Sequence, residues 1–173
     1  MVWGKFQQLS SKPVVHASHV AELFLEDDDL AIKILSNATP AQKNSFEYFN
    51  NLAVGLAKTG KISEAEKLIA EIDIEKLSNT HKTVLVATRG LLKFRLGSLE
   101  DGRKLYEQTI NEFDRIEDSV SAAVASHYFA TEEKNAKSND ADKRIKEAVK
   151  RLERHKIPPL DLLAKMILSN KRP

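Results

Sequence analysis

The 173-residue chain has no cysteine. That excludes a disulfide-stapled scaffold, a thiol nucleophile and a cysteine-ligated zinc ribbon, and it fits a reducing compartment. Long hydrophobic runs are missing as well: nothing approaches the roughly 18 uninterrupted apolar residues of a membrane span. The first residues, Met1-Val-Trp-Gly-Lys-Phe-Gln-Gln, lack the apolar stretch of a signal peptide. Aromatics make up only 6% of the chain, and its six glycines and five prolines gather at apparent joints. What remains is 42% hydrophobic and 30% charged residues, with 27 basic against 25 acidic side chains. This is the composition of a helical, cytoplasmic protein of one domain, long enough to bury a full core.

Internal periodicity decides the fold. Leu52-Ala-Val-Gly-Leu-Ala-Lys-Thr-Gly60-Lys-Ile-Ser-Glu-Ala65 and Arg89-Gly-Leu-Leu-Lys-Phe-Arg-Leu-Gly97-Ser-Leu-Glu-Asp-Gly102 read alike at a shift of 37 residues. Each is a helical pattern, a glycine stop, a short polar turn and a second helical pattern with a small residue five after that glycine. Ala31, in Asp28-Asp-Leu-Ala-Ile-Lys-Ile-Leu35, precedes Ala65 by 34. Leu35, Ile69 and Tyr106 then fall at one register, four after the small residues.

Capping signals agree with that punctuation. Thr39-Pro40-Ala-Gln42 supplies an N-cap, a proline and a capping-box partner, and Ser63-Glu-Ala-Glu66 is a second box. Gly60 and Gly97 stand where left-handed C-caps are wanted. The pattern predicts helices over 17–25, 29–37, 40–59, 63–77, 80–96, 99–114, 118–136, 140–155 and 159–169. No period-two segment competes, so the expected class is all-α. The expected division is an N-terminal extension at 1–16, a helical repeat domain at 17–157 and a C-terminal capping helix and tail at 158–173, redirected by Pro158-Pro159.

These residues resemble the tetratricopeptide repeat family, whose pattern spans about 34 positions. The likeness is best at Phe49, Leu52, Ala53, Leu56, Gly60, Ala65 and Ile69, with Ile72 and Leu77 replacing the family's next Ala and closing Pro. In the next repeat Gly90, Gly97, Gly102 and Tyr106 match, whereas Arg89 and Lys93 stand where apolar residues are expected. The pair at 118–155 contributes Ala123, Ala125, Tyr128 and Ala148 but has no glycine between its helices. The resemblance implies an α-solenoid of about three to four stacked antiparallel helix pairs, because neither helix of a pair buries its apolar stripe alone.

Signatures of catalysis are absent: no phosphate loop, no Gly-x-Gly-x-x-Gly, no Gly-x-Ser-x-Gly and no His-Glu-x-x-His. The run Glu26-Asp27-Asp28-Asp29 lacks the spaced ligands and glycine of a calcium loop and reads as an interhelix turn whose carboxylates cap the next helix. His16 and His19 could share a face with Glu22, but no third zinc ligand accompanies them. His127, between Ser126 and Tyr128, reads as a packed interface histidine. No enzyme activity, metal or cofactor is expected.

The resemblance implies that ligand contacts lie on the groove-facing side of each pair's first helix. Those positions are Glu47, Asn50, Asn51, Val54 and Lys58 in one pair, and Val84, Ala87, Thr88, Leu91 and Arg95 in the next. Asn51 matches the asparagine with which chaperone-binding members grip a terminal carboxylate. The basic partners of that clamp are replaced by Val84 and Thr88, and its first Lys and Asn by His16 and Val20. Tight carboxylate binding needs charge-assisted contacts, so the groove suits a helix or extended peptide instead.

Charge is uneven. Residues 1–130 carry 15 basic and 18 acidic side chains, and residues 131–173 carry 12 and 7. Lys143, Lys146, Lys150 and Arg154 form a possible anion contact on one helix. Interleaved Asp140, Asp142, Glu147 and Glu153, and the lack of an aromatic to stack on bases, argue for a solvated face over a nucleic-acid surface. The expected function is a scaffold or adaptor that binds a partner protein or peptide in its groove, with an uncapped solenoid end as a surface for self-association. The C-terminal regulatory repeat domain of a larger multidomain protein, an enzyme or secretion component, is the alternative, and a nucleic-acid adaptor using the 143–156 helix a third.

Overall fold

The computed structural model describes residues 12–155 and Lys165. Among these residues there are eight α-helices and no strand: α1 (Lys12–Phe24), α2 (Asp28–Ser36), α3 (Phe46–Lys58), α4 (Ile62–Ala70), α5 (Asn79–Arg95), α6 (Leu99–Arg115), α7 (Ser119–Asn135) and α8 (Ala141–Arg154). The chain is all-α. No helix among the described residues is long and apolar enough to cross a membrane. Where one repeat domain was expected, the chain divides into two compact units, Met1–Lys82 and Thr83–Pro173.

In the first unit α1 packs on α2 and α3, α2 on α3, and α3 on α4. Val15, Leu35, Ala38 and Tyr48 form the core, with Val14, Phe49 and Leu52 against it. Two polar side chains define the helix starts. Asp27 accepts from Leu30 N–H at 2.8 Å and opens α2, and Ser45 accepts from Tyr48 N–H at 3.2 Å and opens α3. Each satisfies a backbone donor that the first turn leaves free.

In the second unit α6 packs on α7 and α7 on α8. Phe113, Ala122 and Ala125 form one core cluster with Val84 and Ile110, and Ala130 and Ala148 another with Ile145 and Val149. Between them Tyr106 and Phe129 stack at 5.2 Å, and Phe94 meets both. The crossing of α5 and α6 is close because both contact residues are glycines. A Cβ on Gly102 would lie 2.5 Å from the Phe94 ring and 3.1 Å from the Gly90 carbonyl. α7 packs on both α6 and α8, and its buried side chains run from Ala122, Ala123 and Ala125 to Phe129 and Ala130 and include two acids, Glu132 and Glu133.

Four helices end identically. Gly60, Gly97, Glu117 and Lys137 all take positive φ, at 84°, 79°, 59° and 52°. Each donates to the carbonyl three residues back, and the following residue donates five back, as in Ser98 N–H to Lys93 O and Ser138 N–H to Glu133 O. This is the Schellman ending, which satisfies the last carbonyls of a helix and turns the chain sharply. Gly60 and Gly97 were expected there. At the turn between α7 and α8, where the sequence offers no glycine, Lys137 adopts the same conformation.

Several boundaries differ from the sequence reading. α1 starts at Lys12, so part of the expected 1–16 extension is helix, with Pro13 in its first turn and Val15 in the core. The 40–59 helix starts only at Phe46. Thr39 N–H does donate to Gln42 Oε1 at 2.9 Å, but this closes a turn. Residues 42–45 are all polar, and Asn44 and Ser45 compete for the backbone until Phe46 begins the buried stripe. The Ser63–Glu66 box does not form, because α4 begins at Ile62, directly after the Gly60 turn, with no side-chain cap. The expected 63–77 helix stops at Ala70. Asp73 accepts from Glu75 N–H at 3.2 Å, and a 3-10 turn follows at Ile74–Lys76. The expected helix at 159–169 lies outside the described residues apart from Lys165.

Candidate functional site

The positions expected to face a groove in the first unit share one face of α3, at the three-and-four spacing of a helix. Glu47 is exposed and faces His81 Nε2 at 3.4 Å, and the His81 ring stacks on Phe46 at 4.6 Å. Asn50, Asn51 and Val54 are buried. Asn51 presents a buried side-chain nitrogen with no acceptor. Lys58 Nζ lies 3.2 Å from Glu22 Oε1 on α1 and 2.6 Å from Asp28 Oδ1 on α2. Burial works against the charge of Lys58, but the two carboxylates outweigh it and hold the ammonium above its ordinary pKa. His16 and Val20, on α1, are both exposed.

In the second unit the expected positions share a face of α5. Val84 packs against Phe113, Ala122 and Ala125. Thr88 and Leu91 are buried, Ala87 is half-buried, and the Thr88 hydroxyl donates to Val84 O at 3.3 Å. Arg95 donates to Glu132 Oε1 on α7 at 2.7 Å, and its Nε is buried with no acceptor. Both cations of the sequence-derived set, Lys58 and Arg95, are therefore neutralised by carboxylates buried in their own unit. Most of the expected groove side chains, Asn50, Asn51, Val54, Thr88 and Leu91, are thus buried in their units.

The basic helix divides by face. Arg144 and Arg151 turn toward α6: Arg144 pairs with Glu107 and sits 4.5 Å above the Phe129 ring, and Arg151 pairs with Asp114. With Ile110, Asn111 and Ser126 they line a small cleft of about 140 Å³. Lys143, Lys146, Lys150 and Arg154 are exposed on the solvent side, away from the buried Ala148 and Leu152. The three lysines make no ion pair among the described residues.

Sequence reasoning missed the acids that anchor these cations. Glu133 on α7 is fully buried and accepts a fork from Arg103, at 2.7 Å from Nε and 3.0 Å from a terminal nitrogen. Ser138 joins at 3.2 Å. Burial works against the charge of Glu133, but the Arg103 and Ser138 hydrogen bonds outweigh it and keep the carboxyl below its ordinary pKa. A signal was available. Arg95 and Glu132, Glu107 and Arg144, and Asp114 and Arg151 are each 37 residues apart, the shift at which the two repeat stretches align.

The Glu26–Asp29 run acts as a turn whose acids are engaged locally, Asp27 as a cap and Asp28 with Lys58. Among the described residues no group of three His, Asp or Glu side chains converges as metal ligands would. No protein-family model, curated protein or solved structure matches the chain.

Proposed function

We propose that the chain is a non-catalytic protein–protein interaction module: a tetratricopeptide-like α-solenoid that acts in the cytoplasm as a scaffold or adaptor. It holds a partner protein or peptide along the first helices of its pairs and uses no cofactor. One observation carries the reading: the shift of 37 residues recurs in space. Oppositely charged residues at that separation face one another across α5 and α7 and across α6 and α8, as they would if successive helix pairs stacked in one register. The small residues of the repeat support it, since Gly90 and Gly102 let α5 and α6 nearly touch. The occupant suited to the two helix faces is an apolar or uncharged polar segment, because Lys58 and Arg95 are already paired.

Affinity capture from source-cell lysate, with the chain as bait and washes at low and high salt, tests this. A stoichiometric protein that survives high salt is expected. Asn51→Ala should weaken its capture several-fold while the circular dichroism spectrum stays unchanged. Capture of no stoichiometric protein, or a partner indifferent to both Asn51→Ala and Arg95→Ala, would overturn the groove assignment.

A further inference from the structure

We propose that the outer face of α8 is a second docking surface, for an acidic helix of a partner protein. Lys143, Lys146, Lys150 and Arg154 are exposed, and their spacing of three, four and four residues aligns them on one side of the helix. The row spans about 16 Å at the rise of an α-helix. Its charge is not consumed by its own helix, since Glu147 reaches back to Arg144 at 3.4 Å, and the arginines facing α6 have their own carboxylates.

The width of the row selects the partner. On the helical wheel Asp142 and Glu153 border it on one side and Glu147 on the other, so the positive strip is a single side chain wide. A nucleic-acid duplex would bring phosphates against those bordering acids, and α8 has no aromatic residue on which a base could stack. A helix carrying carboxylates every four residues repeats at about 6 Å and matches one cation per turn. This surface does not depend on the groove.

The test is fluorescence anisotropy with the full chain at about 0.15 M salt. The probe is a labelled helical peptide bearing Glu at four successive turns, compared with its Gln counterpart. Binding of the Glu peptide is expected, reduced about tenfold or more by Lys146→Glu with Lys150→Glu. Lys61→Glu with Lys67→Glu, exposed just before and within α4 and equal in net charge, should change it by less than about twofold. If the reversal unfolds the chain by circular dichroism, Lys146→Gln with Lys150→Gln takes its place and must still weaken binding. Equal affinity for the two peptides, equal loss in the Lys61 and Lys67 control, or tighter binding of an oligonucleotide of matched charge would each overturn the proposal.

Discussion

Arg151 sets both terminal nitrogens on the two oxygens of Asp114, each at 2.8 Å, across 37 residues of chain. The fork tethers α8 to α6 at a point where neither side chain is deeply buried. Such exposed pairs contribute modestly even with good geometry. A double-mutant cycle of Arg151→Ala and Asp114→Ala, read by urea denaturation, should give a coupling of about 0.5–1 kcal/mol. Arg151→Lys should lose most of it, because a lysine cannot fork.

The Arg103–Glu133 pair behaves differently because its acid is fully buried. Arg103→Met leaves that carboxylate without its guanidinium, and a loss of about 3–5 kcal/mol is expected. Adding Glu133→Leu removes the stranded charge and should recover most of the loss. Chemical denaturation of the single and double variants checks both statements.

Acid sensitivity follows from the same carboxylate. Glu133 and Asp114 both titrate lower in the folded chain than their ordinary values, Asp114 chiefly through its bonds to Arg151. A depressed folded pKa adds stability that is complete above the unfolded value, about 4 for these acids, and is lost as pH falls through the folded value. Denaturant midpoints should be flat from neutrality to about pH 5 and then decline. Glu133→Gln should flatten the decline.

Gly102 admits no side chain. A methyl group there would sit 2.5 Å from the Phe94 ring, which is itself wedged beside Tyr106 and Phe129. Gly102→Ala should cost about 1–3 kcal/mol by forcing α5 and α6 apart, and Phe94→Leu should partly restore the thermal midpoint of that variant.

Glu117 and Lys137 hold the left-handed conformation that glycine adopts without a steric cost. Glu117→Gly and Lys137→Gly should each stabilise the chain by about 0.5–1 kcal/mol. The opposite change, Gly97→Ala, should destabilise it by a similar amount. Thermal melts of the three variants decide the matter.

Those two turns show where sequence reading reached its limit. The pattern marked every helix among the described residues, and it found the turns at Gly60 and Gly97 because glycine announces a positive φ. The turn at Lys137 carried no such mark, since any residue can be held there when packing on both sides demands it. The start of α3 was read six residues early because Thr39 and Gln42 do make their bond, but in a turn. The row Lys143, Lys146, Lys150 and Arg154 was legible from its spacing and is exposed, whereas the sequence did not mark Arg144 and Arg151 as the cations that cross to α6. Of the α3 and α5 positions taken as groove contacts, the sequence located the helices and the shared faces. The repeat shift of 37 offered Glu132 to Arg95, but no such register marked Glu22 as the partner of Lys58, 36 residues away.

The two bonds between α6 and α8 have a further consequence for how the chain reaches its native arrangement. Glu107 meets Arg144 and Asp114 meets Arg151 at one common separation, so both are made together or neither is. If α8 docked one turn out of place, Glu147 would slide toward Glu107 or Asp114 and set acid against acid. A slip in one direction sets Asp140 against Glu107 and Glu147 against Asp114; in the other Glu147 meets Glu107 and Arg154 alone is left to meet Asp114. The seam rejects a slipped helix during folding, a safeguard of use in a chain whose consecutive segments look so much alike.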